Sequence, residues 1–320
     1  MSPRPVLWIP RRLSDATMAR AARDYDVITP EHDAPGTADE IVAMSGRVDA
    51  MLPCHSEIFS DAVVQRLDPR LKIVANHSVG VDHCDLDALR GRGIVVTNTP
   101  DVLSDATAEI ALMLMLGAAR HAVAGDRMVR RGEWDSWSPA FMVGKQVSGA
   151  RVGIVGMGRV GRAFATMARG LGMEIHYHNR SRLSPEQEQG ATFHETIETL
   201  LPQADFLSLH CPATPQTVDL INDERLALLP RGAVLVNTAR GALVDEDALL
   251  RALDSGHLMA AGLDCFKVEP GGNPAFADHD NIFMMPHVGS ATVRTRDAMG
   301  FRALDNLDAF VAGQEPRDRL

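Results

Sequence analysis

Short apolar runs alternate with longer segments of helical period along the whole chain, the pattern of parallel strands covered by helices. In the first hundred residues the runs 6–9, 25–28, 50–52, 71–75 and 94–96 predict strands, with one helix opening after Ser14 and another near Ser60. That is enough for one five-stranded domain. The texture changes at Asp101. An all-round apolar segment, 106–119, predicts a buried helix, and its longest apolar stretch, 110–119, falls well below the roughly 18 residues that cross a bilayer. A polar, Trp-bearing stretch from Arg130 to Ser148 then leads into a second strand series, 151–155, 174–177, 206–209, 233–236, 259–263 and 282–285. A last helix, from Ser290 to about Val311, carries Phe301, Leu304, Leu307 and Val311 on a face that needs a partner, which the first domain can supply. The tail from Gln314 to Leu320 reads as loose. The expected division is 1–100 plus 288–320 in one domain and 101–287 in the other.

Composition narrows the classes of function. Lys plus Arg is 32 and Asp plus Glu is 42, so the formal charge of −10 has the wrong sign for a protein whose main partner is nucleic acid. With 45% apolar and 23% charged residues the chain can build sizeable cores, which excludes global disorder. Cys54, Cys84, Cys211 and Cys265 form no C-x-x-C pair, so neither a disulfide framework nor a metal site is expected, and a reducing compartment fits. The first apolar run, 6–9, is followed by Pro10, Arg11 and Arg12 and is too short for a signal-peptide core, so the expected location is cytoplasmic, with no membrane contact.

The strand 151–155 runs straight into Gly156-Met-Gly158-Arg159-Val160-Gly161, and 162–169 reads as helix. That is G-x-G-x-x-G in the strand, turn and helix setting it requires. The first glycine permits the tight turn, the second lets backbone approach a pyrophosphate, and the third packs helix on strand at an N-terminus that attracts negative charge. About 20 residues past the glycines, where NAD-binding folds keep an acid for the ribose hydroxyls, the chain has Asn179. Arg180, Ser181 and Arg182 follow, two guanidiniums and a hydroxyl suited to a 2′-phosphate that a carboxylate would repel. The expected cofactor is therefore NADP(H) in preference to NAD(H).

Ligands of open α/β sheets sit beyond the carboxyl ends of strands, and three segments put reactive side chains there. The strand 233–236 runs into Asn237-Thr-Ala-Arg240-Gly241, the strand ending at Leu263 leads through Asp264 to Glu269-Pro270, and the strand 282–285 leads through Pro286 to His287. A guanidinium that clamps a carboxylate, an imidazole that carries a proton and a carboxylate that favours its charged form are the groups that reversible reduction of a 2-keto acid needs.

The segments Asn237-Thr-Ala-Arg-Gly-Ala-Leu-Val-Asp-Glu246, Gly262-Leu-Asp-Cys-Phe-Lys-Val-Glu-Pro270 and Pro286-His-Val-Gly-Ser-Ala-Thr292, with the glycine loop, resemble the signatures of the D-isomer-specific 2-hydroxyacid dehydrogenase family. The resemblance runs from about residue 74 to residue 311 in order and spacing. It implies two doubly wound parallel-sheet domains, a Rossmann dinucleotide-binding domain and a flavodoxin-like substrate domain completed by the C-terminal helix. It implies that Arg240 binds substrate, Glu269 tunes the histidine and His287 is the acid/base. Val79 and Gly80, in Ser78-Val-Gly-Val-Asp82, match the loop whose amides hold the substrate carboxylate. Cofactor contacts carry over to Thr107, Arg159, Val160, Cys211, Pro212, Thr238, Ala239, Asp264, His287 and Gly289, beside the glycines and the 179–182 turn.

Within the family, Gly132-Glu-Trp-Asp-Ser-Trp137 and Tyr177-His-Asn-Arg-Ser-Arg182 look most like the glyoxylate and hydroxypyruvate reductases, where the tryptophan segment reaches the partner subunit's site. This implies a homodimer in which Trp137 covers a small substrate or anchors the interface. His55 occupies the loop where the family sets side-chain selectivity. The nearest enzymatic rival, formate dehydrogenase, pairs its histidine with glutamine, whereas this chain has Glu269. A rival of another class is a dinucleotide-sensing corepressor-like protein, which would bind NAD(H), a cofactor that Arg180 and Arg182 do not suit.

Overall fold

The computed structural model describes residues 4–320. The chain forms two compact units, one from residues up to Leu103 together with Ala291–Leu320, the other from Ser104–Ser290. In the first, β1 (Val6–Trp8), β2 (Asp26–Ile28), β3 (Ala50–Met51), β4 (Ile73–Ala75) and β5 (Val95–Thr97) pair in parallel in the order β2-β1-β3-β4-β5, the flavodoxin-like order. These strands are shorter than the apolar runs that predict them. Ile9, Leu52 and Leu71 are buried just outside the paired residues, and the Ile9 and Leu52 N–H groups still bond Ile28 O (3.0 Å) and Trp8 O (2.9 Å), so the apolar runs include strand ends that make a last ladder bond without a paired residue.

The helix Asp15–Asp24 is opened by the Ser14 hydroxyl, which accepts the Thr17 N–H. The helix Val293–Val311 packs Ala303, Leu304 and Leu307 into one cluster with Leu7, Ile9, Ala21 and Tyr25. Its buried face is turned from the expected one: Val311 is exposed, and Gly300 lies so close to the first helix that a Cβ there would stand 2.0 Å from Thr17 Oγ1. The tail is not loose. Asp318 is buried, accepts both Arg302 Nη2 (2.8 Å) and Asn306 Nδ2 (3.0 Å), and the Leu320 N–H bonds Val96 O at 3.0 Å. The polar composition that suggested disorder supplies one ion-paired anchor.

The second unit holds β6 (Arg151–Val155), β7 (Glu174–His178), β8 (Thr192–His194), β9 (Phe206–Leu209), β10 (Ala233–Asn237), β11 (Leu258–Leu263) and β12 (Ile282–Met284), all parallel, in the order β12-β11-β10-β9-β6-β7-β8. Counted from β6 this is the Rossmann order with a seventh strand added beyond the sixth. The sequence pattern had suggested six, missing β8, a three-residue edge strand with no fully buried position. The order reverses between β6 and β9, and the crevice rule puts ligands at the carboxyl ends there. The helix Ser104–Ala119 buries Ala108, Ala111, Leu114 and Met115 against the sheet, where Gly262 of β11 leaves room for Leu114. The helix that follows, Ala122–Arg131, buries none of its residues. Among the described residues no single helix is long and apolar enough to cross a membrane.

Candidate active site

Each glycine of the loop after β6 has a physical reason. Gly156 adopts φ +94°, and a Cβ there would meet Cys211 N at 2.5 Å. A Cβ on Gly161 would stand 2.4 Å from Gly156 O, so the helix Arg159–Gly170 could not seat on the turn. Gly158 differs, because no protein atom lies within 4 Å of its missing Cβ. It is also the N-cap of that helix, whose first turn has no side-chain cap. Open space over a glycine at an uncapped helix start is what a pyrophosphate needs. Arg159, exposed, and Val160, half-buried, form the first turn.

The position that would carry the ribose-binding acid is committed to the loop itself: Asn179 Oδ1 accepts the Met157 N–H at 2.6 Å. Arg180 and Ser181 beyond it are exposed. Arg182 is not available in the same way. Its Nε (2.8 Å) and Nη2 (3.1 Å) both bond Glu188, and its guanidinium lies 5.9 Å from the Phe193 ring centroid. Arg182 and then the Tyr177 hydroxyl, at 2.6 Å, hold the buried Glu188 carboxyl below its usual range. Both guanidiniums of the expected pair are exposed, and Arg182 is in addition bonded to the Glu188 carboxylate.

Beyond β9, burial pushes the Cys211 thiol up to about 11, and the Cys211 backbone stands behind Gly156, with Pro212 next in the chain. Beyond β10, Asn237 builds the next turn with its side chain, accepting the Ala239 N–H (3.0 Å) and donating to Arg240 O (2.8 Å). Thr238 is buried, and its Oγ1 has no hydrogen-bond partner among the described residues. An orphaned buried hydroxyl disfavours the apo fold unless a ligand satisfies it. Gly241 lets this turn lie directly on the next loop, since a Cβ there would fall 1.9 Å from Phe266 C. Arg240 donates from Nη1 to Ala239 O at 2.7 Å.

Beyond β11, Asp264 is buried, and its two oxygens accept the N–H groups of Val288 and Gly289, each at 2.8 Å. Burial raises its carboxyl above the ordinary range, against the pull of those amides and of His287. Asp264 thereby fixes the turn in which His287 takes a left-handed φ of +54°. Gly289 lies against Asp264 and Thr107. Glu269 completes the arrangement: Oε1 accepts the Phe266 N–H at 2.8 Å, and Oε2 meets His287 Nδ1 at 2.6 Å. A tautomer that donates Nδ1–H to the carboxylate would exchange its other proton at Nε2.

Arg240, Glu269 and His287 thus stand in one unit on neighbouring strand ends, with the glycine loop and Thr107, Thr238 and Asp264. Val79, Gly80 and His55 lie in the other unit, the first two half-buried in the loop after β4 and the third exposed after β3. Trp137 is 73% exposed. Sequence reading passed over Asn237, Glu188 and Tyr177. Only Asn237 carried a signal, an amide directly after an apolar run, where such side chains bond their own turn.

The residues present suit a nicotinamide dinucleotide: an open Gly158, an uncapped helix start and the orphaned Thr238 hydroxyl. A family model described as D-isomer-specific 2-hydroxyacid dehydrogenase, NAD-binding domain, matches residues 112–289. Glycerate dehydrogenase of Hyphomicrobium methylovorum is 41% identical over 305 residues, covering 95% of each chain. Glyoxylate reductase of Pyrococcus furiosus is 39% identical over 317 residues, covering 98% of this chain and 94% of that one. The solved NADPH-dependent glyoxylate/hydroxypyruvate reductase of Sinorhizobium meliloti, in complex with NADP and malonate, superposes with a TM-score of 0.87 at 32% identity, covering 99% of this chain and 97% of that one.

Proposed function

This chain belongs to the D-isomer-specific 2-hydroxyacid dehydrogenase family, and on that premise we propose that it reduces a small 2-keto acid, glyoxylate or hydroxypyruvate, to the D-2-hydroxy acid with NADPH in preference to NADH. The observation that carries the reading is the 2.6 Å contact between Glu269 and His287 Nδ1, in the unit that bears the glycine loop and the Arg240 turn. Relatives named for these two substrates and for glycerate support the substrate class. We assign residues 101–287 the dinucleotide and residues 1–100 with 288–320 the substrate.

When bound, the dinucleotide supplies the hydride. The chain's own residues do the rest. Arg240 and the amides of Val79 and Gly80 bind the substrate carboxylate, Arg240 also polarising the carbonyl. His287 delivers a proton from Nε2 to the carbonyl oxygen, and Glu269 stabilises the imidazolium before transfer. Asp264 keeps the ring aimed through the Val288 and Gly289 amides. Thr107, Thr238, Ala239 and the first turn at Arg159 and Val160 position the dinucleotide, and Arg180 with Ser181 takes its 2′-phosphate. A carboxylate partner suits a reaction that moves a proton, which favours keto-acid reduction over formate oxidation.

The test is steady-state kinetics with glyoxylate and NADPH. His287→Ala should lower kcat by about 10²–10⁴. Glu269→Gln, which takes the carboxylate from His287 Nδ1, should lower kcat as well while leaving the NADPH KM unchanged; a kcat equal to that of the wild type would show that the pair does not act together.

A further inference from the structure

The loop after β4 is held from behind by three hydrogen bonds to three successive carbonyls. Ser78 O accepts the Thr99 N–H at 2.9 Å, Val79 O accepts Asn98 Nδ2 at 2.9 Å, and Gly80 O accepts the Ser78 hydroxyl at 2.8 Å. In a planar trans peptide the N–H points opposite to the C=O of the same unit, and the only cis bond among the described residues is Glu269-Pro270. The N–H of Val79 and the N–H of Gly80 therefore point away from Thr99 and Asn98 respectively, and that of Val81 away from the Ser78 hydroxyl. None of the three has an acceptor among the described residues, although the loop is half-buried. Three oriented donors with nothing to receive them form an anion cradle whose geometry is set before any ligand arrives.

Asn98 is itself fixed. Its backbone carbonyl accepts Asn306 Nδ2 at 3.3 Å, and Asn306 Nδ2 also bonds Asp318 at 3.0 Å. Asp318 in turn holds Arg302. The side-chain amide of Asn98 therefore reaches Val79 from a backbone tied to the last helix and the tail, and cannot drift with the loop.

We propose that Asn98 is a positioning residue for the substrate: by holding the Val79 carbonyl it presents the Gly80 amide to the carboxylate of the 2-keto acid, and Ser78 does the same for the Val81 amide through Gly80 O. This deepens the reaction proposed for the chain and rests on it. Asn98 touches no reacting atom, so its loss weakens carboxylate binding and leaves the chemical step alone.

The experiment measures steady-state kinetics with glyoxylate and NADPH, and inhibition by oxalate, in the wild type, Asn98→Ala, Ser78→Ala and Ser78→Thr. Asn98→Ala should raise the glyoxylate KM and the oxalate Ki together by about tenfold, with kcat within about threefold and the NADPH KM unchanged. Ser78→Ala should shift both in the same direction, and Ser78→Thr, which keeps a hydroxyl, should restore them. Values of KM and Ki within about twofold of wild type in both alanine variants would overturn the proposal, as would a fall in kcat at constant KM. If Asn98→Ala fails to unfold cooperatively, the Ser78 pair decides. If the wild type does not turn over glyoxylate, the reaction proposal fails by itself; calorimetric titration of oxalate into the NADPH-bound enzyme then decides the cradle, which is overturned if oxalate does not bind or binds Asn98→Ala equally well.

Discussion

At the scale of the residue, burial decides which ionisable groups can be charged. His77 follows β4 and is 4% exposed; its Nδ1 has no hydrogen-bond partner among the described residues and its Nε2 stands 3.4 Å from Arg296 O. Burial, then the positive charge of Arg296, pushes the imidazole down to about 4. A histidine whose folded value lies below its unfolded one stabilises the fold above the unfolded value, and that stability is lost as pH falls toward the folded one. Between about pH 7.5 and about pH 5 the wild type should lose about 2 kcal/mol through His77. Urea midpoints of His77→Asn should be flatter across that window by this amount, and equal slopes for both proteins would show that the ring is not buried neutral. The sequence offers His77 no distinction from its 11 fellow histidines. His287 was legible because Pro286 and a strand precede it in a family motif, whereas the neutrality of His77 depends on a core that only folding assembles.

At the scale of the element, turn chemistry was more legible than strand extent. The loop Gly156–Gly161 follows from its glycines, two of which the backbone contacts require and one of which stays open. The edge strand Thr192–His194 escaped because its residues are at most half-buried, so no apolar run announces it. In the Asn179–Arg182 turn the two arginines are held differently: Glu188, six residues beyond Arg182, bonds that guanidinium, so Arg180 is the one expected to carry most of the phosphate contact. Arg180→Gln should therefore lower kcat/KM with NADPH by about tenfold to a hundredfold while leaving NADH nearly unchanged, the loss of a charge-assisted contact to the 2′-phosphate. Arg182→Gln should lower thermal stability and change the NADPH to NADH ratio by less than about threefold. Equal changes in that ratio for both variants would return Arg182 to the phosphate.

At the scale of the whole molecule, four large apolar side chains stand exposed within one short stretch of chain. Val129 (60%), Trp134 (57%), Trp137 (73%) and Val143 (66%) all stand in water, and the helix Ala122–Arg131 buries nothing although it bears Val123, Met128 and Val129. Soluble chains rarely leave such a run uncovered. Two of the charges beside it are paired within the chain, Arg130 with Asp126 at 2.8 Å and Arg127 with Asp280, which lowers the cost of covering the apolar side chains between them. A second copy of the chain, related by a two-fold axis, would present the same surface to itself and cover both with one contact. The proposed homodimer makes a definite prediction for Val129→Asp, which puts a charge into that contact without touching the sheet or either set of strand-end residues. Sedimentation of the wild type should give twice the mass of the chain, and Val129→Asp should sediment as the monomer with native circular dichroism. If Trp137 also covers the partner's substrate, that monomer should retain NADPH binding while its glyoxylate KM rises. A wild type that sediments as a monomer would remove both the dimer and the tryptophan's role across it, and would leave the His287 chemistry untouched, because every group proposed for proton transfer stands within one unit of one chain.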